Sequence, residues 1–391
     1  MNDVSPDRHI LFITGEYPPL TGGVGAYTER LASALVDLGW KTSVLTTAKL
    51  HSGPALSPID VYPLIAGWDW RIWRIVPELA RHIQAGWLHV QYQTAAFDMN
   101  PAINLAVGRW RGKGYSVAWT YHDLLVPYLF PKAGSRLRNA VTMRPAHVAD
   151  LTIVTNEADR RELAGTTPHL FRVPIGSNVP TCQVSPAKRA EIRQQLGYKS
   201  DSFVIAYFGF LNRSKGGIAL IRTLELVRRR LPQVRLLMIG ERVGASDPTN
   251  YAYLQEVESL IQELGLQEAV QWTGRLEDVD VSNALAAADV LYMPYEDGAS
   301  LRRGTLMAGL ANGCAVVTTE PRVPIPELAD GSDVLFVPRG DVEAATAALL
   351  RMASDQRLCA QLQRGALAAS RQFTWPEIAK THAALYASVG H

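Results

Sequence analysis

The sequence predicts an α/β protein built of two doubly wound parallel-sheet domains. Three observations carry that prediction. Apolar runs of strand length alternate with amphipathic helical stretches along the chain, the pattern of a parallel sheet with helices on both faces. The alternation pauses once, in the proline-bearing stretch "NVPTCQVSPAKR", and then restarts. The length of 391 residues, 47% of them hydrophobic, is too great for one ordinary core.

The elements follow in order. "HILFIT" is a first strand, "AYTERLASALVDLG" its helix, and "KTSVLTT", "WLHVQY", "YSVAWTYHD" and "LTIVTN" continue the sheet. After the pause come "FVIAYFGF", the helix "GIALIRTLELVRRR", "VRLLMIG", the helix "YLQEVESLIQELG", "AVQWTG", "DVLYMPY" and "CAVVTT". The expected division is an amino-terminal domain over residues 1–180, a carboxyl-terminal domain over 181–373, and a last helix in 374–391. Ligands of such sheets sit beyond the carboxyl ends of the strands, where strand order reverses. Two facing halves would set those loops across a common cleft.

Composition narrows the function classes. A formal net charge of +2 gives no excess that would point to nucleic acid as a partner. Cys182, Cys314 and Cys359 lie far apart, without the spacing of a zinc site or a disulfide framework, so a reducing compartment is expected. The start, "MNDVSPDRHILFITGEYPP", reads as a strand preceded by acids rather than a signal peptide, and no run reaches the ~18 apolar residues of a membrane span. The expected location is cytoplasmic. "WDWRIWRIVPELARHI" interleaves Trp68, Trp70 and Trp73 with Arg71 and Arg74. Such a stripe either packs on its own domain or rests on a membrane surface, which would hold the protein at the inner face.

Four loops could carry chemistry. Gly22, Gly23 and Gly25 precede the first helix; they would let N–H groups approach an oxyanion, or they form a tight turn. Two prolines and a long loop precede them, so the dinucleotide fingerprint does not match and NAD is not expected. His122 and Asp123 end a strand, where histidine can hydrogen-bond a substrate hydroxyl and the aspartate can cap the turn. In "GFLNRSKGG", Gly209 and Asn212 lead to Arg213 and Lys215 ahead of a helix, cations beside N–H groups that suit a diphosphate. In "YEDGASLRRGTLMAGLANGCAVVTTE", Arg302 and Arg303 stand just before Gly304 and Thr305, at the helix end whose dipole repels cations. An anion must lie between them, or Asp297 or Glu296 must pair with one. Guanidinium forks fit phosphate well.

The ordered set of these segments resembles the retaining nucleotide-sugar glycosyltransferases of family 4, which have the two-domain glycosyltransferase-B fold. The resemblance covers nearly the whole chain: "PPLTGGVGAYTERLASALVDLGWKTSVLT", the strand-end "HD", "VPIGSNV", "FGFLNRSKGG", "LLMIG", "VQWTGRL", "AAADVLYMPY", "LANGCAVVTT", "PELADGSDVLFVPRGD" and "FTWPEIAKTHAALY". It implies two facing Rossmann-like domains, an acceptor half followed by a nucleotide-sugar half, and a final helix that returns to the first domain. It implies transfer of a sugar, with retention, from a nucleotide diphosphate sugar to a hydroxyl of a glycan, glycolipid or small glycoside, with no cofactor and no metal. Gly22 and Gly23 would approach the donor phosphate or the acceptor, and His122 the donor sugar. Lys215 matches the lysine that clamps the diphosphate. Gly209 and Gly240 would line the donor loops, and Gly274, Arg275 and Leu276 would lie near the base.

Two departures stand out. Phe210 occupies the place of an arginine that the family carries after the glycine matching Gly209. The family's glutamate pair, eight positions apart, falls on Ser300 and Ala308 counted from "LANG", or on Asp297 and Thr305 counted from "DGASL". Asp297 and Ser300 are therefore the candidates for the sugar contact. The arginine missing at Phe210 is expected to be replaced from across the cleft, so that Lys215 with Arg213, Arg302 or Arg303 holds the diphosphate. The alternative that the missing glutamates allow is a catalytically silent relative that binds a nucleotide sugar or a partner.

Overall fold

The computed structural model describes residues 5–20, 22–49, 58–124, 134–182, 184–242 and 248–389. The chain divides into two compact units, Met1–Gly176 with Thr374–His391, and Ser177–Phe373. The division falls a few residues before 180 because the connecting segment is already tied to the second unit. There Ser282 Oγ donates to the Pro180 carbonyl at 2.9 Å.

The first unit holds seven strands: β1 (His9–Thr14), β2 (Lys41–Thr47), β3 (Asp60–Ile65), β4 (Trp87–Tyr92), β5 (Ser116–Tyr121), β6 (Leu151–Val154) and β7 (Leu170–Arg172). Their order is β3-β2-β1-β4-β5-β6-β7. The second unit holds β8 (Phe203–Phe208), β9 (Val234–Ile239), β10 (Val270–Trp272), β11 (Val290–Met293), β12 (Val316–Thr319) and β13 (Leu335–Val337), in the order β10-β9-β8-β11-β12-β13. The pairings are parallel throughout, as in the register of Phe12 with Val44 on one side and His89 on the other. Strand order reverses beside β1 and beside β8, so the loops that leave these two strands open at the switch points of their sheets.

Residues of β1 and β4 are buried along their whole length, as expected for strands covered on both faces. The edge strands β3, β7 and β13 are absent from the sequence reading because they are short or broken in pattern. Pro63, which has no N–H to donate, sits within β3, an edge strand, where proline is tolerated. The first helix, Gly23–Asp37, buries Tyr27, Leu31 and Leu35, and the last helix, Trp375–Val389, packs beside it with Ile378, His382 and Tyr386 inward. The last helix thus belongs to the first unit.

The tryptophan stripe separates into three environments. Trp68 is buried against Phe97, with ring centroids 4.6 Å apart. Trp73 donates its Nε1–H to the Ala102 carbonyl at 2.8 Å and lies under the Arg109 guanidinium. Trp70 is 50% exposed.

One ion network anchors the second unit. Asp289, just before β11, accepts from Arg189 at 2.6 Å, from Arg193 at 3.1 Å and from the Val204 N–H at 2.7 Å. Both arginines lie on the helix Pro186–Gln195, and they also donate to the carbonyls of Ala286, Ala287 and Ala288. A single carboxylate therefore ties a helix, β8 and β11 together. Removing it strands the largely buried Arg193 charge, which costs about 3 kcal/mol. Urea unfolding of Asp289→Ala should show a second-unit transition weakened by about that amount; an unchanged midpoint would contradict this role.

Candidate functional site

The loop after β8 is shaped by Asn212, whose carboxamide oxygen accepts from the Lys215 N–H at 3.1 Å and from Ser214 Oγ at 2.9 Å. This cap turns the chain into a short 3-10 turn, Arg213–Lys215, that leads into the helix Gly217–Arg230. The Lys215 ammonium ends against Gly209. A Cβ built on Gly209 would lie 2.8 Å from Lys215 Nζ and 2.9 Å from Thr305 Cγ2, and the backbone there has φ +105. Only glycine leaves that space.

The loop after β11 comes to the same place. The Glu296 N–H donates to the Ser214 carbonyl at 2.9 Å, and Tyr295 shares a hydrogen bond with Thr305 Oγ1 at 2.8 Å. Arg303 Nη2 reaches both oxygens of Asp297 at 2.5 Å and Ser214 Oγ at 3.4 Å, and the guanidinium lies 4.9 Å from the Tyr295 ring centroid. Its Nε–H is buried and has no hydrogen-bond partner. Arg302 is farther from Asp297, at 3.7 Å, and its side chain is 38% exposed against 15% for Arg303. No side chain caps the start of the helix Gly304–Ala311.

The two arginines at the head of that helix are thus held by Asp297, and of the two it is Arg303 that joins the Lys215 site. Lys215 forms no ion pair among the described residues. Burial, with the nearby Arg303 charge, lowers its pKa from 10.5 to about 8. Tyr295 is pushed up to about 12, chiefly by burial. Two cations, a helix start without a side-chain cap and an unpartnered N–H donor lie together here, the groups whose chemistry suits an anion.

The other expected residues of this unit fall at its margin or elsewhere. Gly240 and Gly274 form an isolated bridge, and the Gly240 N–H donates to Thr273 Oγ1 at 3.0 Å. A Cβ on Gly240 would approach the Gly209 backbone at 3.9 Å, so this bridge borders the site. Arg275 is exposed and Leu276 half-buried just beyond it. Arg213 is bound to both oxygens of Glu256 at 3.0 Å and stacks over Tyr253, which takes it to another helix. Ser300 accepts the Arg302 N–H at 3.4 Å within the loop turn. Phe210 is 42% exposed.

In the first unit, the N–H groups at the first helix start already have an anion. Glu16 Oε1 accepts from Val24 at 2.9 Å and from Gly25 at 3.2 Å. A Cβ on Gly22 would fall 2.1 Å from that carboxylate, so this glycine makes room for Glu16, while Gly23 faces open space. The phosphate expected at Gly22 and Gly23 would meet N–H groups that an internal carboxylate occupies. His122 follows β5, its N–H bonded to the Tyr92 carbonyl at 2.9 Å and its Nε2 lying 2.9 Å from Gln91 Oε1. Its ring meets Tyr27 edge-on at 4.8 Å, and burial, then the neighbouring His382, lowers its pKa to about 3. It is a neutral imidazole near pH 7.

Sequence reasoning missed Tyr295, Ser214, Glu16 and Gln91. Ser214 and Tyr295 sit inside motifs already singled out, but their roles need the two loops to meet. Glu16 leaves a readable signal: an acid seven residues ahead of a helix, Gly23–Asp37, whose first turn has none.

Residues 188–368 match the family described as "Glycosyl transferases group 1", and residues 21–173 match "Glycosyltransferase Family 4". The chain belongs to family 4 of the glycosyltransferases. It is 26% identical over 232 residues to D-inositol 3-phosphate glycosyltransferase of Saccharomonospora viridis, an alignment that covers 58% of this chain and 53% of that protein. It is 30% identical over 223 residues to mannosylfructose-phosphate synthase of Agrobacterium fabrum, covering 56% and 47%. The chain therefore spans about half the length of these two relatives. With the GDP-mannose-dependent alpha-(1-6)-phosphatidylinositol monomannoside mannosyltransferase of Mycolicibacterium smegmatis it shares 26% identity over 90% of this chain and 91% of that one. Anabaena HepE in complex with UDP-glucose has the same glycosyltransferase-B fold, with a TM-score of 0.75 at 19% identity, over 97% of this chain and 99% of that one.

Lys215 carries a testable electrostatic cost. Lys215 has a lower pKa folded than unfolded, so the native state resists its proton. That cost is complete below about 8 and fades as pH rises to 10.5. Lys215→Met should raise the unfolding midpoint at pH 7, with the gain shrinking at alkaline pH; a lowered midpoint at pH 7 would show that the ammonium is stabilised in the unliganded protein.

Proposed function

We propose that this chain transfers a sugar, with retention at the anomeric carbon and without a metal ion, from a nucleotide diphosphate sugar to a hydroxyl acceptor. The observation that carries the proposal is the half-buried Lys215 ammonium, beside Arg303 and the open start of the helix Gly304–Ala311, with no carboxylate in ion-pair range among the described residues. Charge develops on the leaving diphosphate in the transition state, and preorganised cations and N–H groups in a water-poor site stabilise it most where it grows. Lys215 and the unpartnered Nε–H of Arg303 supply that stabilisation.

Retention in two displacements would need a carboxylate at the anomeric carbon. Asp297 is held by Arg303 and Arg302, and Ser300 is engaged by its own loop. This favours attack from the front face with no protein nucleophile, and it leaves His122 as the sugar contact. The UDP-glucose bound to HepE and the GDP-mannose on which the mannosyltransferase depends support a nucleotide sugar of one of these classes. The same proposal places the protein in the cytoplasm, with exposed Trp70 beside Arg71 and Arg74 as its contact with a membrane-borne acceptor.

Thermal-shift titration with UDP, GDP and ADP identifies the base, since a ligand of the folded state raises the midpoint. With the nucleotide so found, Arg303→Ala and Lys215→Ala should each weaken binding about tenfold to a hundredfold. Arg302→Ala, at the exposed position, should weaken it less than threefold or so. Unchanged binding in Arg303→Ala refutes the replacement of the missing arginine. Slow hydrolysis of the matching sugar donor supports an active enzyme, and tight binding with no turnover over a wide acceptor panel supports the silent relative instead.

A further inference from the structure

Beneath the last helix runs a line of polar groups that an all-apolar parallel sheet would not contain. His89 and Gln91 of β4 and Thr120 of β5 are 0% exposed, and His382 and Tyr386 are buried above them. Burying such groups is costly unless each finds a partner. His89 Nδ1 lies 2.5 Å from Tyr386 Oη, and His89 Nε2 lies 2.8 Å from Thr120 Oγ1 and 3.3 Å from Gln91 Nε2. On its other side, Gln91 presents Oε1 to His122 Nε2 at 2.9 Å.

The donor and acceptor inventory orders this chain. With the Gln91 carboxamide oriented as it is here, nitrogen toward His89 and oxygen toward His122, its nitrogen only donates, so His89 Nε2 accepts and its proton sits on Nδ1, aimed at Tyr386. A carboxamide oxygen only accepts, so His122 Nε2 carries its proton and Nδ1 keeps the lone pair. We infer that Gln91 is a positioning residue, oriented by His89 and by Tyr386 of the last helix, that holds His122 as its Nε2–H tautomer so that Nδ1 accepts a hydrogen bond from a sugar hydroxyl. The inference rests on the proposed contact between His122 and the donor sugar. Burial keeps both rings neutral, His89 well below its ordinary value, which leaves the tautomer as the property to be set.

The test is nitrogen NMR on the full chain carrying 15N-histidine, with His122 assigned by its absence in His122→Asn. Wild-type His122 should show the neutral Nε2–H pattern near pH 7. Gln91→Leu should convert it to a mixture or to Nδ1–H, and should lower kcat about tenfold with a smaller change in donor KM. Gln91→Met, which keeps the side-chain length, serves if the leucine variant does not fold. An Nδ1–H tautomer in the wild type, or a His122 pattern unaltered in the Gln91 variants, overturns the inference even if activity falls. An altered pattern with unchanged kcat upholds the role of Gln91 and removes His122 from the chemistry, so the two failures are told apart.

Discussion

Two half-buried cations, Lys215 and Arg303, lie close together where the loops after β8 and β11 meet, and among the described residues only one of them, Arg303, has a carboxylate in ion-pair range. Asp297 satisfies Arg303 and part of Arg302 but leaves Lys215 without an ion pair among the described residues. Burial and the neighbouring Arg303 charge both lower the pKa of the lysine, and in the function proposed above a bound diphosphate would relieve that cost. Gly209 exists to admit the ammonium, Asn212 turns the loop that delivers it, and Tyr295 with Thr305 fixes the floor beneath Arg303. The fold serves the same end, since β8 and β11 are the strands between which sheet order reverses.

Much of this was legible in the sequence, and for physical reasons. Central strands such as "HILFIT" and "FVIAYFGF" are buried on both faces, so they read as unbroken apolar runs. The pair Arg302 and Arg303 was legible as a conflict with the helix dipole, and Asp297, one of the two acids the sequence offered, is the group that answers it. What sequence could not do was divide the labour. Arg213 and Arg303 look equivalent on paper, yet Glu256 and Tyr253 take one and the Lys215 site takes the other. The glycines at 22 and 23 read as a phosphate loop, while the carboxylate that fills the same role, Glu16, lies eight residues upstream of the N–H groups it caps. The edge strand β3 was hidden by Pro63 and by an irregular register at Thr46 and Thr47.

The first unit follows a different logic. Its sheet carries His89, Gln91 and Thr120 under the last helix, and these groups trade hydrophobic burial for orientation. Tyr27, which lies against His122 and 3.4 Å from His382, adds a second link from the first helix to the last. A helix that sequence places beyond residue 373 is thereby part of the support for a residue at position 122.

A nucleoside diphosphate that binds as proposed completes the charge of Lys215 and so raises its proton affinity. Calorimetric titration near pH 8.5, in buffers of different ionisation enthalpy, counts the protons taken up on binding, because there Lys215 is partly neutral and the phosphates are already ionised. Net uptake by the wild type, abolished in Lys215→Met, is the expected result. Binding without proton uptake, or the same uptake in the methionine variant, would contradict it.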